Sequence, residues 1–263
     1  MRLLDMDGTH ARLLDIMVDV DAFCREHGIR YSLAFGTLLG GVRHKGFIPW
    51  DDDADIYMPR PDFERFVSSF NAESGSPFHC LYNSRAKDEF FALGFAKVHD
   101  PRTSKFVGDR KSIFRYGVSL DIFPLDPVPD DAEECHEFMH RMLHLHRRLY
   151  FRHKRFFHGS PLTMIESRLH SLDWWWNKCQ TEARTYDNAN TGKIALFLGA
   201  STYLTILDRN IFDSMADLDF EGHKFAAFSD TDAYLTHVYG PDYMTPPPVD
   251  RRGGHGVTIY ELD

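Results

Sequence analysis

Four aspartates within five positions, Asp51, Asp52, Asp53 and Asp55, stand between an aromatic anchor, Trp50, and an apolar run that starts at Ile56. Like charges packed this closely repel and raise one another's pKa. A chain that anchors them beside a core must therefore offset that repulsion. Side chains on a strand alternate between faces. Extended backbone here puts Asp51, Asp53 and Asp55 on one face and turns Asp52 away with Ala54 and Ile56. A divalent cation removes the repulsion, and Mg²⁺ takes oxygen ligands at about 2.0–2.1 Å, from one or two carboxylates plus substrate phosphates. Asp53 and Asp55, two residues apart, suit that role. A solvated acidic turn is the other reading of the same residues.

The neighbours favour a site. Upstream, a strand over 31–35 runs into Gly36-Thr37. Glycine there lets backbone N–H groups approach a phosphate, and the N-terminus of the next helix favours an anion. A phosphate cradle beside metal carboxylates describes phosphoryl transfer. Asp121 is the expected further acid, because it interrupts the apolar run Leu120-Asp121-Ile122-Phe123, where an unpaired charge is expensive. Its alternative is a strand cap or an arginine partner. Asp126, among prolines, reads as part of a turn. Arg43, His44 and Lys97 are the expected phosphate-neutralising groups, and His255 is a further substrate-binding candidate from the tail. Each could equally be a solvated surface side chain.

The rest of the chain reads as α+β. A helix is predicted over 11–27 with Thr9 as its cap and Gly28 as its stop. A short helix follows the glycine turn, then a strand over 53–58 and a helix over 62–70. Strands are expected over 78–82, 91–98 and 118–123. Helices follow over 131–154 and 161–186, then a hairpin around Glu221-Gly222 and a helix over 231–239. The expected domain plan is a single catalytic domain over 1–263. A core over 9–130 is followed by a helical insertion over 131–190 and a C-terminal part, 191–263, that packs back on the core.

With 263 residues and 43% hydrophobic content, the chain can bury a large core, and its 22 Phe and 11 Tyr make that core aromatic-rich. A net charge of −9 argues against a nucleic-acid partner. Cys24, Cys80, Cys135 and Cys179 are too widely spaced for a zinc ribbon or a disulfide framework. A reducing cytoplasm is the simplest setting for such cysteines, and neither a signal peptide nor a membrane-spanning run stands out. His136, His140 and His144, with Arg141, Arg147 and Arg148, give the 131–154 helix a basic face. That face could meet an anionic acceptor or lipid headgroups, placing the protein at the inner face of the membrane.

These residues resemble the LicD family, which includes the fukutin-related proteins. The likeness is densest in Gly36-Thr37-Leu38-Leu39-Gly40, Arg43-His44, the run Gly46 to Asp53, and Asp55. It continues in Phe95 to Val98 with Thr103, in Leu120 to Leu125, in Phe220-Glu221-Gly222, and in Tyr239 to Met244 with Pro246-Pro247. The resemblance implies a nucleotidyltransferase-like mixed β-sheet core with flanking helices. It implies transfer of a phospho-alcohol, phosphocholine or an alditol phosphate, from a CDP-linked donor to a glycan or glycolipid hydroxyl. Teichoic acid, lipopolysaccharide and capsule are the usual acceptors. By position, Asp53 and Asp55 match metal ligands for Mg²⁺ or Mn²⁺, Asp51 assists, and Asp121 matches the third carboxylate. Nucleotidyl transfer with pyrophosphate release, or nucleotide or glycan binding without turnover, remain the competing functions.

Overall fold

A computed structural model of the chain describes residues 1–86, 89–91, 94–107, 110–111, 116–153, 161–197, 205–254 and 256–262. The elements run β1 (Arg2–Leu4), α1 (Met6–His27), β2 (Ser32–Leu33), α2 (Phe35–His44), β3 (Ala54–Pro59), α3 (Arg60–Glu73), β4 (His79–Leu81), β5 (Ser84–Ala86) and β6 (Glu89–Phe91). They continue as β7 (Ala96–His99), β8 (Thr103–Val107), β9 (Arg110–Lys111), β10 (Ser119–Val128), α4 (Ala132–His153), α5 (Pro161–Arg168) and α6 (Leu172–Ala183). The chain ends with β11 (Lys193–Ala195), β12 (Ile206–Asp208), β13 (Met215–Phe220), β14 (His223–Phe228), α7 (Thr231–Tyr239) and β15 (Val257–Glu261). The α+β expectation holds. Two compact units form: one from Met1–Phe91, Ala96–Phe123 and Phe212–Asp263, the other built on Pro124–Ile211.

In the first unit, β2, β3, β10, β7 and β4 lie side by side in that order. A second sheet runs β1-β15-β8-β9. Helix α1 buries Leu13, Ile16, Met17, Val20 and Phe23, the i, i+3, i+4, i+7 stripe of an amphipathic helix. Phe23 meets Phe66 and Phe70 of α3 edge-on, at 5.7 and 5.2 Å between ring centroids. Edge-to-face pairs add about 0.5–1.5 kcal/mol each beyond the area they bury. The aromatic core expected from composition lies partly between α1 and α3 and partly where Phe220, Phe225, Phe228 and Tyr234 are buried on β13, β14 and α7. Helix α1 starts earlier than predicted. Asp5, not Thr9, is its cap, accepting from the Gly8 amide at 2.8 Å, while Thr9 turns its hydroxyl onto the Asp5 carbonyl at 2.9 Å. Gly28 ends the helix in the left-handed conformation, as predicted. The hairpin is also as predicted: β13 and β14 pair antiparallel, with Glu221 and Gly222 both at positive φ.

In the second unit, Cys135, Phe138, Met139 and Met142 of α4 pack on Val128, Ala183, Ala195 and Phe197. Their spacing leaves His136, His140 and Arg147 on the exposed side. Two expectations fail here. The helix over 161–186 breaks into α5 and α6, because Ser171 starts a new helix by accepting from the Trp174 amide at 3.1 Å. Asp126 is not in a turn: β10 runs through the prolines, and Asp126 is buried opposite Ala195. Pro124 and Pro127 mimic a turn signal in the sequence, yet extended backbone tolerates proline wherever no ladder N–H is required.

Candidate functional site

All the site residues described below belong to the first unit. Strand β3 begins only at Ala54, so Asp51, Asp52 and Asp53 occupy the connection that leads into it. The alternation expected to turn Asp52 away therefore does not reach it. Each of Asp51, Asp52 and Asp53 offers a carboxylate oxygen, and the three oxygens lie within 4.8 Å of one another. Asp55 lies on the strand itself.

The glycine-threonine turn holds this cluster from beneath. Helix α2 begins at Phe35, so Gly36 and Thr37 lie in its first turn. A Cβ at Gly36 would stand 2.5 Å from Oδ2 of Asp51. Only glycine leaves the Asp51 carboxylate where it is. The Thr37 hydroxyl accepts the Asp55 amide at 2.8 Å, and the Ala34 amide donates to the Asp55 carbonyl at 3.0 Å. Both contacts fix the backbone that carries the Asp55 side chain. On the other side, His10 Nε2 donates to the Asp51 carbonyl at 2.7 Å, and its ring stacks on Phe47 at 4.4 Å. The hairpin tip completes the support. The Glu221 carboxylate accepts the Phe47 amide at 3.1 Å and packs so close to Gly46 that a Cβ there would meet it at 1.9 Å.

Asp121 and Lys97 stand directly opposite each other on β10 and β7 and form an ion pair. Burial raises the Asp121 pKa, opposed by Lys97 and reinforced by Asp53. Burial likewise raises that of Asp55 well above the carboxylate range, and Asp53 and Asp121 push it further. Burial alone would lower the Lys97 pKa, but Asp121, the Tyr116 phenol and Asp55 hold it above its ordinary value. Lys105 of β8 also faces the cluster. Burial and then Lys97 lower its pKa, against the pull of Asp121, Asp52 and Asp53. The result is an all-oxygen donor set, with negative charge concentrated at partly buried positions and two lysines along one side. Hard divalent cations are bound by such donors.

Of the residues expected from sequence, the structure thus brings Asp51, Asp53, Asp55, Asp121, Gly36, Thr37 and Lys97 together. Arg43 and His44 lie in the last turn of α2, where the His44 ring meets Trp50, the residue before Asp51, edge-on at 6.2 Å. His255 lies outside the described residues. The sequence reading missed His10, Asp52, Lys105 and Tyr239. Tyr239 is 43% exposed as a residue, but burial of its phenol raises its pKa, and Tyr234, Asp55, Asp51 and Asp53 raise it further. Lys105 carried no signal of its own, since its strand is tied to the segment leading into β10 by contacts between distant positions, the Lys105 amide to the Tyr116 carbonyl at 3.2 Å and the Val118 amide to the Thr103 hydroxyl at 2.9 Å. Tyr239 could have been found within the tail motif Tyr239-Gly240-Pro241-Asp242. Among the described residues, no helix is long and apolar enough to cross a membrane.

Comparison with known proteins bears on this geometry. The family description "LicD/FKTN/FKRP, nucleotidyltransferase domain" matches residues 28–171, which include Gly36, Thr37, all the clustered aspartates, Lys97 and Asp121. The chain is 31% identical to the lipopolysaccharide cholinephosphotransferase LicD of Haemophilus influenzae over 258 residues, 93% of each chain. It is 32% identical over 73 residues to the ribitol 5-phosphate transferase FKRP of human, covering 27% of this chain and 15% of that one. The FKRP of mouse matches to the same extent.

Proposed function

The chain belongs to the LicD/FKTN/FKRP family, and on that premise we propose that it is a transferase that moves a phospho-alcohol, phosphocholine or an alditol phosphate, onto a hydroxyl of a cell-surface glycan. In this reading the donor is CDP-linked and the leaving group is CMP. The observation that carries it is the arrangement of Asp51, Asp53 and Asp55 beside the Lys97–Asp121 pair.

In this reading Asp51, Asp53, Asp55 and Asp121 would hold a divalent cation, Mg²⁺ or Mn²⁺, with Asp52 close by, since its carboxylate oxygen lies within 4.8 Å of those of Asp51 and Asp53. Such an ion would supply charge neutralisation for donor phosphate oxygens. The chain's own residues do the remainder. Thr37 and Gly36 hold Asp55 and Asp51 in register. Lys97 keeps Asp121 in place. Asp121 accepts the proton of the acceptor hydroxyl as its oxygen bonds to the β-phosphorus. The bond from that phosphorus to the bridging oxygen breaks, and CMP departs. Arg43, His44 and Lys105 meet the donor phosphates.

The exposed basic side of α4 suits an anionic glycolipid or membrane surface. His140 and His144 there share a hydrogen bond at 3.2 Å, and they line a groove of about 450 Å³ with Arg141, Arg148, Lys178 and Glu182. Cytoplasmic work at the inner membrane face is consistent with that surface.

The test is incubation with CDP-choline, CDP-glycerol, CDP-ribitol and CDP-ethanolamine plus Mg²⁺, with detection of CMP. Transfer should be lost in Asp53→Asn and Asp55→Asn. Release of pyrophosphate from a nucleoside triphosphate instead of CMP would establish nucleotidyl transfer. Wild-type turnover in a folded Asp53→Asn protein would remove the assignment of Asp53.

A further inference from the structure

The rim of the carboxylate cluster carries two arginines that no carboxylate neutralises among the described residues. Arg43, in the last turn of α2, donates from Nη1 to the Tyr243 carbonyl at 2.9 Å and from Nε to His44 Nδ1 at 3.4 Å. Arg252, 209 positions later, donates from Nε to the Pro247 carbonyl at 2.8 Å and lays its guanidinium over the Trp50 ring, 4.6 Å from the centroid. Each spends part of its five-donor fork on neutral groups and keeps the rest available. They are close enough to affect each other: burial and then Arg252 lower the Arg43 pKa, while the Tyr239 phenol opposes this.

The tail that brings Arg252 here is seated firmly. Gly254 approaches so near that a Cβ would stand 2.6 Å from Oδ2 of Asp52 and 3.1 Å from the Trp50 carbonyl. The His44 ring meets the other participant, Trp50, edge-on at 6.2 Å. Trp50 itself directly precedes Asp51. Arg252 and the His44 ring that Arg43 donates to thus both meet Trp50, which leads directly into the carboxylate cluster. Two uncompensated guanidiniums repel, and a bound anion reverses that cost. Arginine forks match phosphoryl oxygens two at a time.

We propose that Arg43 and Arg252 form a two-arginine clamp for the paired phosphoryl groups of a diphosphate, with the Trp50 ring holding Arg252 ready. The C-terminal segment 246–254 is then part of the binding site. Trp50 pre-orients the guanidinium, so less side-chain entropy is lost on binding. The clamp rests on the proposed transfer reaction only for the identity of its ligand as a CDP ester. The anion site itself stands on the two arginines.

Calorimetric titration of the full chain with inorganic pyrophosphate and with CDP, each in the presence of Mg²⁺, tests it. The wild type binds both. Arg252→Ala weakens both by about ten- to hundredfold. Arg252→Lys recovers only part, because an ammonium lacks the planar fork. The melting temperature of Arg252→Ala stays near wild type, since Arg252 is exposed. The clamp is overturned if Arg252→Ala and Arg43→Lys bind pyrophosphate like the wild type, or if the wild type binds no diphosphate. Loss of pyrophosphate binding in Arg252→Ala, with no CMP from any CDP ester, would keep the clamp and remove the transfer reading. CMP formation with an unchanged donor KM in Arg252→Ala would do the reverse.

Discussion

Lys97 on β7 stands directly opposite Asp121 on β10, and its ammonium donates to the Asp121 carboxylate across the two strands. The side chains are 9% and 14% exposed, so the pair is largely out of water. Breaking such a pair leaves a buried charge, at a cost of about 3–5 kcal/mol. Lys97→Met should therefore lower stability by roughly that amount. Adding Asp121→Asn should recover much of it, because the orphaned carboxylate is then gone. Transfer activity should stay lost in the double variant. Urea denaturation alongside CMP release measures both, and equal stability of the two variants would contradict this coupling.

Thr37 acts on Asp55 through its backbone. Thr37→Val keeps the shape and removes the acceptor of the Asp55 amide. Loss of a buried acceptor costs about 1–3 kcal/mol. A small displacement of a ligand carboxylate costs far more in rate than in stability, on the order of a hundredfold. Thr37→Ser should restore most of the activity. A Thr37→Val enzyme with wild-type kcat would show that the hydroxyl does not position Asp55.

Gly36→Ala puts a methyl group where the Asp51 carboxylate lies. The carboxylate must swing away, so the effect should fall on cation affinity. A thermal-shift titration with Mn²⁺ should give a midpoint raised about tenfold or more. The apo melting temperature should fall by only a few degrees. An unchanged midpoint would place Asp51 outside the cation site.

His99, buried on β7, has its pKa depressed from 6.5 to about 4, first by burial and then by His79, with Asp100 opposing. The unfolded chain takes up this proton near pH 6.5 and the folded one only near pH 4. Stability from neutral His99 is therefore complete above the unfolded pKa and is lost as pH falls through that window. The loss reaches about 3 kcal/mol. Asp100 adds a second window at lower pH. Burial would raise its pKa, but hydrogen bonds from Arg102, at 2.8 and 2.9 Å, hold it below the usual carboxylate value. Urea unfolding from pH 7.5 to 4 should show the slope, and His99→Gln should flatten it above pH 4. An unchanged slope would assign the effect elsewhere.

The parts of the site that the sequence made legible are those set by neighbours along the chain. The aspartate run, the glycine-threonine turn, the Gly28 stop and the Glu221-Gly222 hairpin all follow from contacts a few residues apart. Asp121 was legible for a different reason: a charge inside an apolar run needs a partner. That its partner is Lys97 was not readable, because the register of β7 against β10 joins positions 24 residues apart.

Asp52 marks the limit of the local rule. Its exclusion followed from alternation on a strand, and alternation holds only where the backbone is extended. Where β3 starts depends on its pairing with β2, Leu33 against Ile56, and on the loop that Glu221 clamps from far along the chain. Lys105, Tyr239 and Arg252 reach the cluster only through β8, α7 and the tail.

The sequence by itself determined that carboxylates would gather at 51–55, that glycine would stand at 36, and which family the motifs resemble. Tertiary structure alone decided which cations face those carboxylates and that Asp52 turns in with its neighbours. Charge and turn chemistry are properties of adjacent residues. Which distant side chains share a dielectric, a register and a site is fixed only when burial of the apolar faces brings the strands together.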